Sequence, residues 1–147
     1  MRYYGQMATP MIHTANDLCI LEFALSLPET SLILRNAGAI AEIRGPLPVR
    51  RGAAWLTLGD EGGTHVHLKA ADIRRCVFSD PPDANAALTV LGPGDGPLCK
   101  ISFRGTNPLR ATADGRARAI AVKEHFGHLQ AADDSGPGSG VVESQSG

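Results

Sequence analysis

Between residues 31 and 104 the sequence alternates short apolar segments with breaks rich in glycine, proline and aspartate, and this pattern limits the possible folds most strongly. Segments this short are typical of strands joined by turns rather than of core helices. Because tight turns between consecutive strands produce hairpins, the sheet is predicted to be antiparallel. The predicted strands are 31–35, 39–44, 53–58, 65–70, 73–79, 86–91 and 98–104.

A helix is predicted on either side of the strand region. Residues 18–27 are apolar apart from Glu22 and Ser26 and end at Pro28, which favours a buried helix; a strand is the second interpretation. Residues 114–130 place Ala119, Val122, Phe126 and Leu129 at helical spacing. The predicted fold class is therefore α+β, with an antiparallel sheet of about six or more short strands flanked by an N-terminal and a C-terminal helix.

Length and composition indicate one globular domain. The chain has 147 residues, of which 43% are hydrophobic and 20% are charged, which is ordinary for a single domain with a core. We predict that the domain spans 1–132 and that the Gly/Ser-rich tail 133–147 is disordered.

The charge, hydropathy and cysteine patterns exclude several classes of partner and location. A net charge of −1 and 5% aromatic content disfavour a nucleic-acid partner. No run of about 18 apolar residues exists, so no membrane span is expected. The three cysteines have no Cys-x-x-Cys spacing, and the N-terminal sequence lacks the pattern of a secretory signal. These features predict a cytoplasmic protein.

The strand at 65–70 contains the residues with the clearest functional chemistry. It follows a Gly-Gly turn, and alternation along a strand places His65, His67 and Lys69 on one face, opposite Val66 and Leu68. Two imidazoles on one face favour a metal or haem site, because neutral imidazole is the commonest transition-metal ligand. A solvated strand face explains the same pattern about equally well.

A cupin-like metal enzyme is one specific form of the metal hypothesis. Gly59, His65 and His67 fit the cupin spacing Gly-x5-His-x-His, and Asp72 stands near the acidic position. The second cupin motif requires a later histidine, yet no histidine lies between residues 68 and 124. The remaining helix histidines, His125 and His128, are expected to be solvated side chains.

Four segments together resemble a known family. Residues 34–48 look like a strand pair that ends Glu-Phe-x-Gly-x-Leu-Pro, and residues 55–58 fit a Tyr-Phe-Asn-Leu strand. Residues 67–70 look like a Gly-His-Ile-Lys-Ala strand, and residues 95–103 look like a Gly-x-x-x-x-Lys-Ile-Phe-Leu hairpin. Through these motifs, residues 31–130 resemble the haem-utilisation family of HemS, ChuS, ChuX and HutX, in its single-repeat form.

The resemblance implies a homodimer that binds haem in the cytoplasm for carriage, storage or transfer. His67 matches the haem-associated histidine of ChuX-like members and is the expected ligand of the haem iron, with His65 as a neighbouring substitute. Two other family histidine positions hold Ala41 and Arg35 here, so haem-degrading activity is disfavoured. The candidate partners of the haem propionates are Arg35, Lys69 and Arg104.

Two alternatives remain beside haem binding. One is the cupin-like metal enzyme that uses His65 and His67. The other is an interaction module of the same fold that binds no haem.

Overall fold

Two antiparallel sheets and two helices make up the described chain, which a computed structural model defines for residues 16–131. The described part of helix α1 covers 16–26. The strands are β1 Thr30–Asn36, β2 Ala39–Arg44, β3 Val49–Arg51, β4 Trp55–Gly59, β5 His65–Lys69, β6 Arg75–Ser79, β7 Ala87–Leu91 and β8 Pro97–Phe103. Helix α2 is Ala113–Phe126. The predicted α+β class is confirmed, whereas the tail predicted at 133–147 lies outside the described residues.

The larger sheet has five strands in the order β2-β1-β8-β7-β6. Its register places Leu32 opposite both Ile43 and Ile101, so one face of the sheet is apolar across neighbouring strands. This face contributes fully buried side chains to the same core as α1 and α2. The strands were predicted from apolar and polar residues that alternate along the sequence. In the structure these residues point in turn to this buried face and to the outer face of the sheet.

A separate sheet of three strands, in the order β3-β4-β5, replaces the single sheet expected from the sequence. Strand β3 was not predicted, because three residues between Pro48 and Gly52 are too few to show a period of two. Its register aligns Arg50 with Thr57, and Thr57 in turn with His67. The opposite face of this sheet adds Leu56, Leu58 and Leu68 to the core.

The connection between β2 and β3 fixes the small sheet against α1. The buried Leu47 donates its backbone N–H to the Leu25 carbonyl of α1 at 2.8 Å. Arg51 of β3 then forms a two-point ion pair with Glu22 of α1, at 2.7 and 3.0 Å. The hydrogen bonds that Arg51 donates to the Glu22 carboxylate raise the pKa of Arg51, so this guanidinium stays charged. Together these contacts orient the small sheet relative to the rest of the domain.

Helix α2 closes the other side of the core. Its N-terminus is capped by the Thr112 hydroxyl, which accepts a hydrogen bond from the Gly115 N–H at 3.1 Å. The Phe126 ring packs on Phe78 and Phe103, with centroid distances of 6.2 and 5.4 Å. The helix ends at Phe126, four residues before the predicted end at 130, and a 3-10 turn follows at Gly127–Leu129. No helix among the described residues is long and apolar enough to cross a membrane.

Two buried thiols make the stability of the domain sensitive to alkaline pH. Burial raises the pKa of Cys76 and Cys99 from 9.0 to about 12. Between pH 9 and pH 12 the unfolded chain loses the two thiol protons, whereas the native state keeps them. The contribution of the protonated thiols to the free energy of unfolding is therefore complete below about pH 9 and is lost as the pH rises toward 12. We expect urea unfolding to show this loss, and Cys99→Ala to reduce it. An equal loss in the variant and the wild type would exclude the Cys99 thiol as a cause.

Candidate functional site

The outer face of the three-stranded sheet displays the polar residues singled out in the sequence. His65, His67 and Lys69 alternate along β5 with Val66 and the buried Leu68, as predicted. The β4–β5 register places Trp55 opposite Lys69, and Thr57 opposite His67. The sheet therefore collects two imidazoles, an ammonium and an indole on one surface.

The His67 ring is exposed but held in place by its neighbour on β4. Its Nδ1 lies 3.2 Å from the Thr57 hydroxyl, and Thr57 is only 7% exposed. Among the described residues, the Nε2 atom has no hydrogen-bond partner. If Nδ1 carries the ring proton and donates it to the Thr57 hydroxyl, Nε2 is left as a free ligating nitrogen, which is the usual arrangement of a metal-ligating histidine.

His65 is oriented differently. Its Nδ1 lies 2.8 Å from the Gly63 carbonyl, which only accepts hydrogen bonds, so Nδ1 is the protonated nitrogen. The His65 and His67 rings meet edge to face, with centroids 4.9 Å apart. Both histidines therefore lie at one place on the surface, but only His67 is supported by a side chain of the adjacent strand.

An open groove of about 530 Å³ lies beside His67. It is lined by Gly52, Ala53, Ala54, Trp55, Thr57 and His67. Trp55 is 48% exposed, and the Lys69 Nζ lies 5.6 Å from its ring centroid, within the range of a cation–π contact. The groove thus combines an aromatic surface, a free imidazole nitrogen and a cation at its edge.

Arg50 is a further cation on this face that sequence reasoning missed. The register places it in one row with Thr57 and His67, and its guanidinium pairs with Glu61 of the β4–β5 turn. It was missed because β3 was not predicted. The one available signal was the Arg50-Arg51 pair itself, since adjacent strand residues point to opposite faces.

The structure does not bring Arg35 and Arg104 to this groove. Arg35 lies near the end of β1 and lines a different cavity, of about 270 Å³, on the five-stranded sheet. Arg104 follows β8 and bonds Glu29 at 3.2 Å and the Thr30 carbonyl at 3.3 Å. At roughly 3.3 Å per residue, Thr30 and Arg35 are on the order of 16 Å apart. The assignment of Arg35 and Arg104 to haem propionates stays a prediction.

Among the described residues, the fold brings no third metal-ligating side chain to His65 and His67. In the described range, no group of three His, Cys, Asp or Glu side chains is placed to hold a metal ion. Asp72 lies in a 3-10 turn, Ala70–Asp72, after β5 has ended. His125 is exposed, as expected, and its ring also lies against Phe23 with centroids 4.2 Å apart.

Comparisons with known proteins identify the fold. No family model and no curated protein sequence matches the chain. A solved structure from Erwinia carotovora is similar at a TM-score of 0.60 and 19% identity, over 78% of this chain and 73% of that one. A structure of the heme-binding protein ChuX is similar at a TM-score of 0.56 and 14% identity, over 74% and 70%.

A longer protein contains the same unit. Apo-PhuS, a heme-binding protein from Pseudomonas aeruginosa, matches at a TM-score of 0.53 and 20% identity, over 72% of this chain but only 32% of its own length. The chain therefore corresponds to about one third of PhuS. The fold expected from the sequence resemblance is confirmed: this protein has the ChuX-like fold that is also found in PhuS.

Proposed function

We propose that this protein binds haem in the groove of the three-stranded sheet, with the Nε2 of His67 as the axial ligand of the iron. The observation that supports this most is the free Nε2, whose ring is oriented by the nearly buried Thr57. Haem binding is what the names of ChuX and PhuS state for proteins of this fold. When bound, haem would supply the iron, and the chain would supply its axial ligand and its surroundings.

The other residues of the groove suit the remaining parts of haem. Trp55 and the small residues 52–54 offer an apolar surface to the macrocycle. Lys69 and Arg50 lie on the same face and suit the propionates, since a cation paired with a carboxylate gives a strong and orienting contact. His65 is close enough to His67 to serve as a substitute ligand.

An open groove favours carriage or transfer of haem. Its volume of about 530 Å³ falls within the ~300–1,000 Å³ typical of small-molecule sites, but it has no cover among the described residues. A flat ligand there would keep one face accessible to solvent or to a protein that donates or accepts haem. We therefore propose a carrier rather than a haem-degrading enzyme, and a cytoplasmic location remains part of this proposal.

A homodimer is part of the same proposal. On the outer face of the five-stranded sheet, Ile33 and Ile40 lie beside the charged residues Arg35, Glu42 and Lys100, and Ile40 is 59% exposed. Burying this mixed apolar and charged face against a second copy would satisfy the isologous geometry of most homodimers. In such a dimer Arg35 would lie in the interface between the two five-stranded sheets, and it would have to contact the haem propionates from there.

Titration with hemin tests the His67 assignment. We expect the wild-type protein to develop a Soret band that saturates at one equivalent of hemin. His67→Ala should bind hemin at least tenfold more weakly, because a loss of about 1.4 kcal/mol of binding free energy lowers the affinity tenfold. Thr57→Val should also weaken binding, since removing a group that orients a metal ligand typically costs about 10–100-fold.

The matched control is His128→Ala, because His128 is an exposed histidine in the 3-10 turn after α2. Its titration is expected to equal that of the wild type. If His67→Ala gives the wild-type spectrum and affinity, His67 is not the ligand. Bound metal without haem in the purified protein would instead favour the metal-enzyme alternative.

A further inference from the structure

Helices α1 and α2 enclose an apolar cavity that shares no residue with the groove beside His67. The cavity has a volume of about 290 Å³. Its walls include Phe23 and Leu27 from the α1 side and Val122, His125 and Phe126 from α2. The side chains with polar groups among its lining residues are those of Arg118 and His125. This combination of apolar walls and few polar groups is typical of a small-molecule site.

Arg118 brings an uncompensated positive charge to this cavity. Its Nη2 donates to the Arg104 carbonyl, but its Nε is buried and has no hydrogen-bond partner among the described residues. No carboxylate of residues 16–131 forms an ion pair with it, whereas the neighbouring Arg104 is paired with Glu29. The buried Nε is not accessible to a ligand, but no hydrogen bond among the described residues uses Nη1, so an acceptor supplied by a ligand would pair with Nη1.

The backbone at Gly105 lies close to the Arg118 guanidinium. Gly105 has a φ of +81°, and a Cβ at this position would lie 2.5 Å from the Arg118 Nη2. The left-handed conformation favours glycine at this position, whereas the arginine is the end of a flexible side chain and could move away from a Cβ. The half-buried Arg118 side chain lies between Gly105 and the cavity.

The opposite part of the cavity is aromatic. The His125 ring lies against Phe23 at a centroid distance of 4.2 Å, tilted by 30°, and meets Phe126 edge to face at 4.7 Å. Arg118 and His125 are seven residues, or about two turns, apart on α2, so both side chains lie on the same face of the helix and line the cavity. A ligand that contacts both therefore needs an acidic group and an aromatic ring.

We propose that this cavity binds a small aromatic monocarboxylate, with its carboxylate on Arg118 and its ring among Phe23, His125 and Phe126. The volume of about 290 Å³ is just below the ~300–1,000 Å³ typical of small-molecule sites, which favours a small ligand. A single carboxylate matches the guanidinium of Arg118 in this cavity, and an aromatic ring suits contact with Phe23, His125 and Phe126. The site is independent of haem binding.

Calorimetric titration with phenylacetate, and with its neutral amide, tests this proposal on the full chain. We expect saturable binding of phenylacetate, at least tenfold weaker binding of phenylacetamide, and at least tenfold weaker binding of phenylacetate by Arg118→Gln. Arg116→Gln is the matched control, because Arg116 lies on the exposed side of the same helix and its side chain bonds only the Ala111 carbonyl within residues 16–131. This variant should bind phenylacetate like the wild type.

A second variant leaves the arginine intact. Ala121→Phe places a ring in the cavity from the exposed rim of α2, so it should abolish phenylacetate binding while the circular dichroism spectrum stays native. His67→Ala should keep phenylacetate binding, which separates this site from the haem groove. Equal affinity for acid and amide, unchanged binding by Ala121→Phe, or no saturable binding by the wild type would overturn the proposal.

Discussion

Replacing Phe126 with alanine is expected to lower the free energy of unfolding by about 3–5 kcal/mol, the usual cost of truncating a buried phenylalanine. The Phe126 side chain is 1% exposed and connects α2 to the sheet through the rings of Phe78 and Phe103. Small domains have only about 5–15 kcal/mol of total stability, so the variant would lose a large part of it. Urea unfolding of the haem-free protein, followed by circular dichroism, measures the change.

Phe23→Ala is the control for this experiment. Phe23 is 41% exposed, although its ring lies 6.0 Å from that of Phe126. Its truncation removes less buried surface and should cost less than half as much. Equal losses in the two variants would mean that the three-ring contact does not hold α2 on the sheet.

Gly59→Ala is expected to lower the free energy of unfolding by about 2–4 kcal/mol, from backbone strain and overlap together. Gly59 has a φ of +115°, a conformation that residues with a side chain rarely adopt. A Cβ there would lie 2.6 Å from the Thr64 carbonyl, which is backbone and cannot move aside alone. Because Gly59 pairs with His65 at the start of β5, the change should also weaken hemin binding.

Gly38→Ala is the matched control in the β1–β2 turn. A Cβ at Gly38 meets nothing within 4 Å, and its φ is not in the left-handed range. We expect its unfolding free energy and its hemin titration to remain within error of the wild type. If Gly59→Ala behaves in the same way, the β4–β5 turn does not require its observed conformation.

The fold was largely predictable because local patterns determine it. Hairpin turns and alternation predicted seven of the eight strands, and helical spacing placed Val122 and Phe126 in the core, where the structure has them. The same alternation put His65, His67 and Lys69 on one face of β5. These features depend on neighbours in the sequence, which is where period and propensity are informative.

The rest depends on contacts between distant parts of the chain. The division into two sheets follows from how residues 45–48 cross α1, which no local pattern encodes. The strand β3 is too short to show a period, so Arg50 could not be placed beside His67. Arg35 and Arg104 share a strand region in the sequence, but the β1–β8 register carries them toward opposite ends of β1. The Arg118 cavity requires α1 and α2 to be packed together.

The most direct test of the central claim is to map where a porphyrin binds. Gallium protoporphyrin IX is diamagnetic, so its binding site can be located from backbone amide shifts in the ¹⁵N–¹H spectrum of the labelled protein. We predict that the largest shifts fall on residues 52–57 and on His65 and His67, with smaller shifts on Lys69. Shifts confined to the outer face of the five-stranded sheet, around Arg35 and Lys100, would contradict the proposed site.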